Sequence, residues 1–378
     1  MPNRGRAATV AGLVGFFALQ GADASLGLAW ACLVIAAAVA LWRDAIDLSR
    51  APDALEWSLL ALLLVAVLAS LWGLDPRRSL TLSVPLLAAL PLWFLLVRSD
   101  AGPALLRWVA PALGTAALLQ LTLVLVAAWR DPGADAAAWV RFSGAAWLVV
   151  PNDLAWMACL LPLLRLSAGR WLELAAALAL VLLALWMHSL TLLAAAPLAV
   201  LAHALLRRGL RLYSLPWLAP IAVALVGLLL LAALWVPSMH ARLQLWTAAL
   251  QVFTDHPLGV GLHNFVLAYR ESSAAEGLVD PRLTPWPHSL PLEVLAELGA
   301  PGLLALIAVA LNLRRRAASV CVTPRPWACA STAALLVFAL LALTESSFLR
   351  LWVWTLGPLL AGLLVLQSTV LSNDKEHQ

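Results

Sequence analysis

Between Pro237 and Gly302 the chain gathers residues that can move protons and hold anions: His240, His256, His263, His288, Arg242, and the pair Glu293 and Glu297. Histidine is the side chain whose ordinary titration falls near neutral pH. Arginine stays charged and offers a planar fork of donors to an anion. Glu293 and Glu297 lie one helical turn apart, so a helix puts both on one face. The set suits proton transfer beside an anionic group. No His-x-x-x-His or His-Glu-x-x-His spacing occurs, so neither a metal site nor a cofactor is expected.

The chain that must position these residues has 378 of them, 63% hydrophobic and 12% charged, with a mean hydropathy of +0.92. A soluble domain carries roughly 25% charged residues. The composition therefore predicts an integral membrane protein with little mass outside the bilayer. Its apolar segments are rich in Leu and Ala and run 16–25 residues, unlike the ~10-residue alternating strands of an outer-membrane barrel. The fold class expected is an all-α membrane bundle. Net charge is +4, and 23 of the 24 basic residues are arginine. They are spread over short loops, which reads as a topology signal and excludes a nucleic-acid surface. Cys32 and Cys159 lie in apolar segments and Cys321 and Cys329 flank one, a pattern that suggests no disulfide.

About twelve spans are predicted, at 7–21, 25–42, 56–73, 79–97, 104–129, 145–166, 171–189, 191–206, 215–236, 289–313, 327–349 and 351–369. Arg4, Arg6 and the following apolar run imitate a signal peptide. A second apolar segment follows at once, so the run is read as a first span. With the N-terminus inside, 16 basic residues fall on the cytoplasmic side and 8 on the other, the bias expected of a bacterial inner-membrane protein with both termini inside. Residues 1–236 then hold spans 1–9, residues 237–288 form a periplasmic helical loop, and residues 289–378 hold spans 10–12.

Within the loop, Leu243, Trp246, Ala249, Leu250 and Phe253 repeat at helical spacing. That helix is predicted to lie along the membrane surface. Asp255-His256-Pro257 stops it, and Gly259-Val260-Gly261 permits a tight turn. Pro285-Trp286-Pro287 delivers His288 to the next span, which Gly299, Pro301 and Gly302 break midway. Carboxylates inside a span are costly, so Glu293 and Glu297 should face protein or water.

Four motifs, in order, resemble the O-antigen ligase/O-antigen polymerase family, multispan enzymes that move lipid-linked bacterial glycans. They are Ser70-Leu71-Trp72-Gly73-Leu74-Asp75-Pro76-Arg77-Arg78-Ser79-Leu80; Arg141-Phe142-Ser143-Gly144 with Pro151-Asn152-Asp153-Leu154-Ala155; Arg242 and Trp246 through His256-Pro257-Leu258-Gly259-Val260-Gly261; and His288-Ser289 with Glu293, Glu297 and Gly299. The resemblance covers roughly residues 70–305. It departs from the family at Ser189-Leu190, where an arginine usually follows the serine, and at Ser289, where asparagine is usual.

The resemblance implies a metal-independent, inverting glycosyltransferase. Its donor would be an undecaprenyl-diphosphate-linked glycan, and its acceptor lipid A-core or another glycan, met among membrane lipids. Arg242 would bind the diphosphate leaving group, with Arg141, Arg77 and Arg78 as further phosphate ligands. His288 would be the general base for the acceptor hydroxyl. Asn152 and Trp246 are candidate substrate contacts. Glu293 and Glu297 orient His288, bind sugar, or pair with an arginine to hold the bundle. His256 and His263 are read as structural. A lipid or solute transporter with a periplasmic cap is the competing class, but its charged residues would be spread deep in several spans, not clustered on one side.

Overall fold

A computed structural model describes residues 2–43, 46–83, 86–99, 101–210, 237–271, 285–320, 326–345 and 350–376. The expected span 215–236 and part of the expected periplasmic loop lie outside the described residues. The described chain is helical. Its helices are α1 (Pro2–Ala18), α2 (Leu26–Trp42), α3 (Ala54–Trp72), α4 (Pro76–Leu82), α5 (Leu86–Val97), α6 (Ala101–Arg130), α7 (Ala136–Phe142), α8 (Leu161–Ala168), α9 (Arg170–Trp186), α10 (Leu190–Arg207), α11 (Pro237–Asp255), α12 (Phe265–Glu271), α13 (Leu290–Val320), α14 (Pro326–Thr344) and α15 (Leu351–Glu376). A 3-10 helix covers Pro151–Leu160.

Six stretches among the described residues, Asp23–Trp42, Ala54–Trp72, Ala104–Arg130, Leu190–Arg207, Leu290–Val320 and Pro326–Thr344, are long and apolar enough to cross a bilayer. The chain is a multi-pass membrane protein. Leu28, Ile35, Leu118, Leu178, Leu201 and Leu304 are exposed on the outside of the bundle, where lipid tails would meet them. The interior holds Phe16, Phe17, Trp147, Trp156 and Trp352 with a shell of Leu and Ala.

Two expected spans are not continuous. The run 79–97 divides into α4 and α5, with α4 ending at Leu82 and α5 starting at Leu86. Asp75 caps α4 by accepting the Arg78 backbone N–H at 2.9 Å, and Pro76 opens its first turn. The 12 residues of α5 rise only about 18 Å, short of the ~30 Å apolar core. The run 145–166 begins without a helix. Asp153 Oδ2 accepts the N–H groups of Val149 and Val150 at 2.8 and 2.9 Å, and the 3-10 helix starts at Pro151. The turn at His188–Ser189 falls where the sequence places it, with Ser189 capping α10.

α3 and α13 pack against each other and are pinned at both ends. At one end Asp53 pairs with Arg316, beside the buried ion pair of Glu56 with Arg98 at 2.8 Å. At the other end α3 gives way to Gly73 and Leu74, and the Leu74 N–H donates to the Val260 carbonyl at 2.9 Å. On α10, His203 meets Glu173 at 2.8 Å at one end, and Ser189 faces the functional residues at the other. Those residues therefore share one end of the bundle.

Candidate functional site

The site is built around a loop clasped between α3 and α13. Residues 257–264 run back along the start of α13 and bond to it as a strand would. Val260 N–H donates to the Ala296 carbonyl at 3.1 Å, Gly261 N–H to the Glu297 carbonyl at 2.9 Å, and Ala300 N–H to the Pro257 carbonyl at 3.0 Å. These carbonyls are available because α13 breaks at Gly299, whose φ is 68°. Gly259, at φ 86°, faces it across the contact. A Cβ on Gly299 would overlap Pro257 and Leu258, and one on Gly259 would overlap Glu297. Both positions need left-handed backbone and a bare Cα. The kink expected from Gly299 and Pro301 thus has a partner, and the partner is this loop.

Around that clasp lie two polar clusters. In the first, Arg242 on α11 is buried, with its Nη2 on Glu345 and its Nη1 donating to the Thr344 carbonyl at 2.9 Å. Glu345 Oε1 also accepts the Asn152 amide at 3.1 Å and the Thr191 hydroxyl at 2.7 Å. Asn152 in turn accepts the Ser189 hydroxyl at 2.7 Å. Next to it, Asp153 pairs with Arg350 at 3.1 Å and receives the Trp352 indole N–H at 3.3 Å. The Arg350 guanidinium lies 5.2 Å from the Trp286 ring centre. Trp286 and His288 pack with ring centres 5.5 Å apart. Trp246, one turn after Arg242, donates its indole N–H to the Pro287 carbonyl at 2.8 Å. So α11 carries Arg242 and, through Trp246, holds the residue before His288. His288 is buried, with φ of 50°, the left-handed conformation that non-glycine residues adopt rarely and often at functional sites.

The second cluster is His263, Glu293, Glu297 and Arg78. Glu297 accepts the backbone N–H of His263 at 2.8 Å and of Phe265 at 3.1 Å. Arg78 Nε donates to the His263 carbonyl at 2.9 Å. Ser79 donates to Leu262 at 2.7 Å, and the Asn264 amide donates to Ser79 at 3.1 Å and to Val260 at 3.0 Å. Burial first, and the Arg78 charge second, push the His263 imidazole down to a pKa of about 4. It is neutral at physiological pH.

The structure brings Arg242, Asn152, Trp246 and His288 into one cluster, and Arg78, Glu293 and Glu297 into the other. Arg77 and Arg141 are exposed and take no part in either. Trp246 spends its polar atom on the chain, so its observed role is to position its neighbours. Glu345, Thr191 and Arg350 complete the first cluster from other parts of the chain. Their sequence signal was weak: polar residues just after or just before an apolar run. His263, read from the sequence as structural, is buried beside two carboxylates.

No curated protein matches the chain. A family model does: residues 154–307 match the one described as O-antigen ligase. The match takes in Arg242, Trp246, the clasped loop, His288, Glu293 and Glu297. Its two ends fall beside Asp153 and within α13. Over those residues the chain is similar to the O-antigen ligase family, which supports a membrane glycosyltransferase of the ligase or polymerase kind.

Proposed function

We propose that the protein transfers a glycan from undecaprenyl diphosphate to an acceptor hydroxyl, with lipid A-core as the acceptor, at the periplasmic face of a bacterial inner membrane. The arginine bias of the loops supports that placement. The observation that carries the reading is the joint anchoring of Arg242 and His288. One helix holds the guanidinium, and through the Trp246–Pro287 hydrogen bond it also holds the segment bearing the imidazole.

In this reading the acceptor O–H attacks the anomeric carbon from the side opposite the diphosphate. Its proton passes to His288. The anomeric C–O bond breaks and its electron pair leaves with the diphosphate, whose charge Arg242 receives. A single inverting displacement follows from that geometry. A guanidinium at the leaving group supplies the fixed positive charge that phosphate transfer otherwise takes from a metal ion, so no metal is assigned to the reacting step.

The test is the glycan profile of a strain lacking the gene, with lipid-linked intermediates extracted in parallel. Loss of all long glycan from lipid A-core, with polymer accumulating on undecaprenyl diphosphate, supports the ligase. Cores capped by a single repeat, with no long polymer, would make it a polymerase of the same fold. An unchanged profile rejects lipopolysaccharide as the product. Purified protein carrying His288→Ala should turn over at least a hundredfold more slowly than the parent, in line with the ~10²–10⁴-fold that a positioned base contributes.

A further inference from the structure

His263, Glu293 and Glu297 each offer a ligand atom, and these atoms lie within 4.8 Å of one another. All three residues are buried, at 3%, 1% and 2% exposure. Three donors each about 2.2 Å from one ion stand roughly 3–4 Å from one another, a spacing that lies inside this bound.

The histidine carries a second, independent sign. Its Nδ1 is fully buried and has no hydrogen-bond partner. A buried ring nitrogen left bare costs free energy unless something occupies it. Its ring is nonetheless presented to the two carboxylates by deliberate means. His263 takes the left-handed conformation, φ 61°, and is gripped on both sides. Glu297 accepts its N–H, and Arg78 donates to its carbonyl. The two backbone bonds at Glu297 use one lone pair on each oxygen, and a carboxylate has about four acceptor positions. Coordination remains open to it.

We propose that these three side chains bind a divalent transition-metal cation, Zn²⁺ or Mn²⁺. One imidazole and two carboxylates suit these ions, and two carboxylates balance the charge of one such cation. The ion would join the clasped loop, through His263, to α13, through Glu293 and Glu297. It would stand behind His288, five residues before Glu293 on the chain, and hold the wall that carries the base. This role is structural and separate from the transfer chemistry.

The test uses full-length protein purified in detergent without chelators and with any affinity tag removed. Metal content is measured, followed by titration with Zn²⁺, Mn²⁺, Mg²⁺ and Ca²⁺ and by thermal unfolding. The expected result is one Zn²⁺ or Mn²⁺ per chain, a melting temperature raised by the metal and lowered by a chelator, and loss of binding in Glu293→Gln and His263→Ala. Protein that contains none of these ions and takes up none overturns the proposal. So does binding that is unchanged in folded Glu293→Gln. Should the variants fail to fold, Cu²⁺-loaded parent protein decides by electron paramagnetic resonance. Hyperfine coupling to a single nitrogen supports the site; none, or several, overturns it. Because no transfer activity is read, the outcome stands apart from that of the proposed reaction.

Discussion

Asn152 and Glu345 are 193 residues apart in the chain and 3.1 Å apart in the fold. The same Glu345 oxygen meets Arg242 and Thr191. Arg242 is therefore held by an internal carboxylate, and in the proposed reaction an incoming diphosphate would compete with it. Removing one partner of a buried ion pair typically costs about 3–5 kcal/mol. Glu345→Ala should lower the melting temperature markedly, and Arg242→Ala/Glu345→Ala should cost less than the two single changes added. Thermal unfolding of the four proteins as a double-mutant cycle checks this; additivity would mean that the pair does not interact.

Arg242→Lys should fail where charge alone would predict success. The guanidinium serves Glu345 and the Thr344 carbonyl through two separate nitrogens. An ammonium is a single point without that fork. Transfer by Arg242→Lys should fall by at least tenfold, measured with lipid-linked donor in detergent. Full activity in the lysine variant would remove the fork from the mechanism.

Trp286 lies between Arg350 and His288, 5.2 Å from the guanidinium and 5.5 Å from the imidazole. Arg350→Met should leave donor KM nearly unchanged while kcat falls and the pH–rate profile moves, because Trp286, the ring packed on the imidazole, loses the guanidinium that holds it and a nearby charge is removed. Trp286→Ala should shift the same profile, and Trp286→Phe should restore most of it. A rise in KM alone would instead make Arg350 a donor ligand.

Gly299→Ala and Gly259→Ala should each destabilise the fold by several kcal/mol, since both demand left-handed backbone and both leave no room for a methyl group. Loss of folded protein on size-exclusion chromatography is the measurement. Gly133→Ala, at an exposed turn where an added Cβ would meet only Asp131 Oδ1 at an ordinary 3.8 Å, is the control and should behave like the parent.

Much of this arrangement was legible in the sequence. Composition alone gives a helical membrane bundle, and Arg242 and His288 stand out by type and by position next to apolar runs. The turn glycines and the break at Gly299 are equally plain. Their partnership is not, because nothing local says that one turn docks into the other. Glu345 reads from the sequence as a carboxylate near a cavity, but its partners do not, and Thr191 and Arg350 escape for the same reason: only packing brings α10 and the ends of α14 and α15 to Arg242 and Asp153. The divided span 79–97 shows a different limit. Hydropathy sums over the run and is blind to Asp75 and Pro76, which start a short helix, and to its end at Leu82. His263 reads as structural from the sequence, but its carboxylate neighbours are not visible there, because they lie 30 and 34 residues away on another element.

The clasp between Gly73–Leu74, residues 257–264 and the kink of α13 bears on how the protein is made. A ribosome delivers the α3 end long before the loop that closes on it, and delivers Glu345 and Arg350 later still. The loop-closure entropy of such distant pairings is paid only when late segments arrive. A nascent chain that stops before α14 therefore lacks the carboxylate that holds Arg242, and that arginine has no fixed address. Activity should appear abruptly with the last helices to enter the membrane, so that a half-made enzyme cannot act on the lipid-linked glycans around it.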